Sequence, residues 1–263
     1  MMFAFKRISE FTTISPLTVR SLPTVVSPLN ITFKRGFVID DTKIKEEILE
    51  LTDWFTDDLF YSKEDTQIIA PFSRVFCDVE RFSDDSQEEM FKLGMGVLYI
   101  RCDDNTLSRI VTTGLRKEIL DKYYWPHHQG FDRAVLKQLK EQDNCLIIDC
   151  HSFPKTPIYK GLDQRGNRPD FNIGTDKFHT PLDLIKKSED YFKCLGYTVG
   201  VDWPYSGSIV PMEYYQKDKR VKSIMLEVNR ALYLEGDTNN KSSDYNKTKE
   251  VVQGFLAFLR NNS

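Results

Sequence analysis

Apolar residues recur at steps of three and four through Ile44, Ile48, Leu51, Phe55 and Leu59, behind aspartates able to cap a helix. This spacing predicts one amphipathic helix over 40–60. Two short strands are expected over 68–80 (IIAPFSRVFCDVE) and 94–100 (GMGVLYI), joined by the charged and mobile-looking segment RFSDDSQEEM. A second helical region, 115–141, contains Pro126, which should bend or divide it. Leu146, Ile147 and Ile148 lack polar alternation and read as a strand covered on both faces. Pro154 cannot continue a ladder, so the chain must leave the sheet near His151.

The next stretch, KGLDQRGNRPDFNIGTDKFHTP, is rich in turn formers and reads as an active-site loop. Beyond it the pattern predicts a helix over 182–195, strands over 197–201 and 223–228, and a terminal helix including 250–259. The insert EGDTNNKSSDYNKTK reads as a polar surface loop. Strands alternating with helices, too few for eight βα units, predict a three-layer α/β/α sandwich with a central mixed sheet. A chain of 263 residues with 40% apolar residues can bury one core, so 1–263 is taken as a single domain.

A formal charge of -3, with basic and acidic side chains interspersed, supplies no polyanion footprint, so nucleic acid is not an expected partner. No apolar run approaches membrane-spanning length, and no membrane partner is expected. Five cysteines without CxxC spacing fit a reducing compartment, which with the absence of a signal-peptide core predicts a cytoplasmic location. The basic, Ser/Thr-rich first thirty residues are the one feature that would suit an organelle address instead.

Candidate chemistry gathers at strand ends. His151 falls at the carboxyl end of a strand, where open α/β sheets bind ligands, its alternative being to cap a turn there; Asp149 shares its side and could orient the ring or an adjacent ligand, or serve only to bond loop amides. Glu227 repeats the anomaly after Ile224, Met225 and Leu226. At that depth it should carry a raised pKa or face a cation, as a general base requires; the competing reading is a salt bridge to Arg230 or Arg81. In SRVFCDVERF a persisting strand would align Arg74, Asp78 and Glu80, and Arg74 and Arg81 could clamp a carboxylate or merely pair with the acids. In YYWPHH, His128 is the weaker candidate, with aromatic packing as its alternative. Cys150 and His151 point to opposite faces, which argues against a thiol couple, and HExxH, GxSxG, P-loop and GxGxxG motifs are absent.

Taken in order, TDWFTDDLF, PFSRVFCDVERF, EEMFKLGMGVLYI, YYWPHH, DCHSFP, RPDFNIGTD, PYSG and MLEVNRALYL resemble the N-formylglutamate amidohydrolase family over roughly residues 23–234. The resemblance implies a fold similar to zinc carboxypeptidases and aspartoacylases, and zinc-dependent hydrolysis of a small N-acylated amino acid carrying a carboxylate. N-formyl-L-glutamate, yielding L-glutamate and formate, is the implied substrate. It also implies His151 and Asp53 as metal ligands, Glu227 as catalytic glutamate and Arg81 as the carboxylate anchor; Arg74 and Asn229 are taken as further substrate-binding candidates. One departure stands out: where relatives place a metal-binding histidine after proline, this chain has Pro28-Leu29-Asn30, and leucine cannot bind zinc. His128, His179 or Asn30 would have to complete the set. The rival expectation is a catalytically silent small-molecule-binding protein on the same scaffold.

Overall fold

A computed structural model describes the backbone of residues 5–7 and residues 35–262 in full; Pro28, Leu29 and Asn30 lie outside the described residues. Strand β1 is Phe5–Arg7. Helix α1, Asp41–Leu51, starts where the Asp40 carboxylate accepts from the Lys43 amide, and it buries Ile44, Ile48 and Leu51. It does not run on to residue 60 as expected. Thr52 turns to extended backbone, Phe55 takes a left-handed conformation, and α2, Thr56–Leu59, is a separate turn. The corner is pinned by Trp54 Nε1 donating to the Leu49 carbonyl and by Tyr233 Oη donating to the Trp54 carbonyl. Asp53 sits at that corner.

The strands expected over 68–80 and 94–100 do not form. Only β2, Thr66–Gln67, is extended in the first region. Beyond it, Phe76 and Cys77 amides both bond the Ser73 carbonyl, and Phe72, Phe76, Cys77 and Val79 pack with Val97, Leu98, Ile119, Leu120 and Tyr124. These apolar residues are buried by a folded loop, not a ladder; alternation measures burial, and a loop wrapped on a helix also buries alternate positions. Around Gly94, at φ +79°, the second region closes a turn in which Met95 bridges Tyr99. The segment expected to be mobile is tied down, with Glu88 capping a short 3-10 helix, Glu89–Leu93, and Asp85 paired to Arg116 at 2.9 Å.

Pro126 does not divide its helix. Helix α3, Thr113–Ile119, runs through a π turn, Leu120–Tyr124, into α4, Trp125–Gln142, and the proline directly follows this turn, in which the Trp125 amide bonds the Leu120 carbonyl and the regular ladder is already interrupted. Strand β3, Cys145–Phe153, is followed by β4, Phe171–Gly174, inside the stretch read as loop. A Cβ at Gly174 would collide with the Met225 side chain and the Gly207 carbonyl, so glycine lets β4 approach its neighbours. Helix α5, Leu182–Cys194, and β5, Val199–Val201, follow the expected pattern. Strand β6 is Val221–Asn229, and α6, Tyr245–Asn262, begins earlier than expected, inside the polar insert, because Tyr245 and Thr248 are buried.

The strands make one mixed sheet in the order β2-β1-β3-β6-β4-β5. β3 and β6 are parallel at its centre, while β1 and β4 run antiparallel to them. Leu146, Ile148 and Cys150 of β3, with Ile224, Leu226 and Val228 of β6, face the core shared with α2, α5 and α6. On the opposite face Cys145, Ile147 and Val221 pack under Phe131, Val135 and Leu139 of α4. Helices therefore cover both faces of the sheet. The first face stays apolar as far as Cys150 and Val228, beyond which the Ser152 hydroxyl meets Asp53, and each fully buried aliphatic or aromatic side chain there contributes roughly 1.5–3 kcal/mol. Further along, the α4 face changes character: Asp149, His151, Glu227 and Asn229 follow the apolar positions. Among the described residues no helix is long and apolar enough to cross a membrane.

Candidate active site

His151 and Glu227 are direct neighbours in the parallel register of β3 and β6, so their side chains emerge side by side on one face. Residue 151 is 6% exposed and residue 227 is 6% exposed, at the same sheet edge. The His151 ring is held between two carboxylates. Its Nε2 lies 2.9 Å from Asp149 Oδ1, whose other oxygen accepts from the Ile209 amide at 2.9 Å. Its Nδ1 lies 3.5 Å from Asp53 Oδ2. Asp53 Oδ1 accepts from the Ser152 amide, the Ser152 hydroxyl and Arg230 Nη2 at 3.1, 2.9 and 3.2 Å, whereas Oδ2 is buried without a hydrogen-bond partner. The helix corner of α1 and α2 thus delivers its carboxylate beneath the end of β3.

Electrostatics follow from this crowding. Burial opposes charge on Asp53, yet its contact with His151 and the charges of Arg74, Arg230 and His151 outweigh it and hold the carboxyl well below the usual range. Burial likewise opposes a charged His151, but Asp149 and Asp53 raise its pKa well above the ordinary value. For Glu227 burial dominates and lifts the pKa to about 7, with His151 opposing the rise and the Asp53 charge adding to it. The salt bridge that would have explained Glu227 away does not form: Arg230 reaches Asp53, Arg81 reaches Asp78, and Glu227 Oε2 is buried without a hydrogen-bond partner. Glu80, also raised well above normal by burial and by Asp149, has Oε1 in the same condition.

Arg74 and Arg81 do not share a strand face with Glu80, because no strand forms there, but the turn still gathers them. Each places Nε 3.5 Å from Asp78 Oδ2, and Arg81 Nη1 lies 3.6 Å from Glu88. Asp78 also accepts from Tyr99 Oη at 2.7 Å. The Arg81 contacts are ion pairs rather than well-formed hydrogen bonds, and its side chain is 25% exposed, so its fork can still reach an incoming anion. Asn229 is committed to the backbone: its amide donates to the Pro169 carbonyl at 2.9 Å and accepts from the Ala231 amide at 3.1 Å.

The other candidate histidines have partners of their own. His179 bonds the Val221 carbonyl through Nδ1 and the Gln216 amide through Nε2, leaving no lone pair for a metal. His128 packs on Tyr124 and bonds the Val79 carbonyl, and burial lowers its pKa to about 4. Asn30 lies outside the described residues. Sequence reasoning did not foresee Ser152 and Arg230 as the groups that orient Asp53, nor Glu80 beside Asp149; only the closeness of DCHS and LEVNR to strand ends hinted at them.

Two ligand arrangements are available around His151. The 3.5 Å between Asp53 Oδ2 and His151 Nδ1 is long for a hydrogen bond and close to the edge of a zinc coordination tetrahedron, about 3.4 Å for bonds near 2.1 Å. In that arrangement Asp149 on Nε2 is the outer carboxylate that commonly fixes a metal-binding imidazole. Alternatively Glu80, Asp149 and His151 bring one ligand atom each within 4.8 Å of one another, at the expense of the Asp149 hydrogen bond. A separate group, Glu47, Cys102 and Asp104, already holds the Lys43 ammonium, 2.8 Å from Asp104.

No curated protein matches the chain. Among solved structures it is similar to N-formylglutamate amidohydrolase from Ralstonia eutropha JMP134, with TM-score 0.72 and 22% identity over 86% of this chain and 87% of that one. It also resembles the gene product Atu2144 from Agrobacterium tumefaciens, with TM-score 0.52 and 16% identity over 78% of this chain and 76% of that one. The family model described as N-formylglutamate amidohydrolase matches residues 34–234, a span that holds every group of the His151 site and starts after Leu29. By that match the chain belongs to the N-formylglutamate amidohydrolase family.

Proposed function

We propose that the protein is a zinc-dependent amidohydrolase that cleaves a small N-acylated amino acid with a free carboxylate, N-formyl-L-glutamate being the substrate its family suggests. The observation that carries this reading is the pairing of Asp53 Oδ2 with His151 Nδ1 at 3.5 Å, each residue oriented from behind by another polar group, beside a partnerless Glu227 oxygen. The donors suit a divalent ion: an acidic and an imidazole ligand face each other, and burial keeps the pKa of two further carboxyls, Glu80 and Glu227, raised even though His151 and Arg74 pull it down. Bound there, zinc supplies Lewis-acid polarisation of the acyl carbonyl and a lowered pKa for water.

The chain's own residues do the rest. Glu227, with a pKa near neutrality, takes a proton from the attacking water as its oxygen bonds the acyl carbon. The same carboxyl returns the proton to the amine as the C–N bond breaks, releasing the free amino acid and the acid. Arg81 holds the substrate carboxylate against a turn anchored by Asp78 and Tyr99. A fold of the zinc carboxypeptidase and aspartoacylase kind, a single domain over 1–263 and a cytoplasmic location belong to the same reading; all five cysteines are free.

One observation favours the rival, a catalytically silent binding protein: Asp53 and Asp149 flank the His151 ring, so a charged imidazole would be stabilised there without metal. Metal content and hydrolysis of N-formyl-L-glutamate, measured before and after adding zinc, separate the two. Zinc binding with gain of hydrolysis is expected; absence of both at any zinc concentration would make the binding protein the better account.

A further inference from the structure

We propose that Arg168 forms a second anion subsite that receives the side-chain carboxylate of an acidic N-acyl amino acid, while Arg81 takes the α-carboxylate; the inference rests on the function proposed above. Arg168 is 8% exposed, and the groups that its guanidinium bonds among the described residues are neutral. Nη1 donates to the Pro154 carbonyl at 3.1 Å and to Tyr205 Oη at 3.4 Å, and Nη2 donates to the Asp163 carbonyl at 3.0 Å. Nε is buried without a hydrogen-bond partner. The nearest acid in sequence does not help, because the Asp163 carboxylate turns to Arg165, 2.8 Å from Nε. A buried guanidinium that lacks a carboxylate is costly unless an anion arrives to complete it.

Its place ties it to the hydrolytic site. The guanidinium lies over Tyr205 and Phe153, 5.4 and 5.9 Å from their ring centres. Phe153 is two residues beyond His151 on the same side of β3, a step of about 7 Å along a strand. Tyr205 is tied to the same strand end, because its carbonyl accepts from Asn172 Nδ2 at 2.9 Å and Asn172 is the register partner of Glu227 on the neighbouring strand. In a glutamyl substrate the four bonds from amide nitrogen to side-chain carboxyl carbon span about 5 Å, so the second carboxylate lies a short reach from the reacting amide.

Buried arginines are not always receptors. Arg109, 1% exposed, bonds the Phe76 and Arg35 carbonyls and stacks on Phe37 and Phe76, away from any strand end. Arg168 differs in adjoining the strand ends that carry His151 and Glu227. Geometry alone supports its selection as a receptor.

L-glutamate and L-glutamine test this without requiring turnover, since they share the α-carboxylate and differ in side-chain charge. Calorimetry on the full chain should show glutamate binding about tenfold to a hundredfold more tightly than glutamine, the effect of one charged hydrogen-bonded contact. Arg168→Met should abolish that difference by weakening glutamate far more than glutamine, and Arg81→Ala should weaken both ligands. If Arg168→Met does not fold, Arg168→Lys keeps the charge without the fork, and a reduced but non-zero preference is expected. Equal binding of the two amino acids, no binding of either, or an undiminished preference in the Arg168 variants would overturn the subsite. Loss of hydrolysis with the preference intact would count against the hydrolase reading instead.

Discussion

His151 and Glu227 face each other across the parallel register of β3 and β6, so one sheet edge presents an imidazole ring and a carboxyl of near-neutral pKa to the same space. Glu227→Gln keeps the shape and removes proton transfer. Hydrolysis of N-formyl-L-glutamate by the zinc-loaded variant should fall by about a hundredfold to ten-thousandfold, with zinc content nearly unchanged. His151→Ala should lose both. Atomic absorption and initial rates on the same preparations check the split, and full activity in the Glu227→Gln variant would end the role of this carboxyl as base.

Asp149 offers a finer test because it touches the ring from the side away from Asp53. If it is the outer carboxylate of a His151–metal pair, Asp149→Asn should weaken zinc binding about tenfold to a hundredfold without removing a ligand. A chelator competition measures the dissociation constant. Complete loss of zinc would instead assign Asp149 a direct bond, in the arrangement with Glu80.

In metal-free protein Glu227 should make its own contribution to a pH-dependent stability, beside those of the raised Glu80 carboxyl and His151 ring. Below the ordinary carboxyl pKa of 4.5 both folded and unfolded states hold the proton, and the residue contributes no slope. Between 4.5 and about 7 the unfolded chain releases it while the buried group keeps it, so stability falls as pH rises and levels off above 7. The full loss is on the order of 3 kcal/mol. Urea melts at several pH values should show the decline, Glu227→Gln should make it shallower, and an unchanged slope in that variant would assign the dependence elsewhere.

Away from the site, Phe192 of α5 stacks on Phe171 of β4 with centroids 4.1 Å apart, and both rings are fully buried. Phe192→Ala should cost about 3–5 kcal/mol, by lost transfer energy plus a cavity. Denaturant unfolding measures it. A loss below about 1 kcal/mol would mean that α5 is not held to the sheet by this stack.

Periodicity by itself determined the two central strands, helix α5, the α/β class and the placement of His151 and Glu227 at strand ends, because a run without polar positions has to be covered on both faces wherever it lies. It could not separate strand from packed loop at 68–80, since Phe72, Phe76, Cys77 and Val79 are buried by a turn-rich wrap. It also missed β4, whose Asn172 and Gly174 read as turn formers until the sheet buries them. Asp53 was legible as a candidate through the family resemblance, but only the break between α1 and α2 set its carboxylate 3.5 Å from His151, from a point about a hundred residues away along the chain. Which carboxylates stay without a cation, and which arginine stays without a carboxylate, is likewise a tertiary outcome. Charge compensation depends on distances of a few ångströms between segments remote in sequence, and local residue patterns carry no information about those distances.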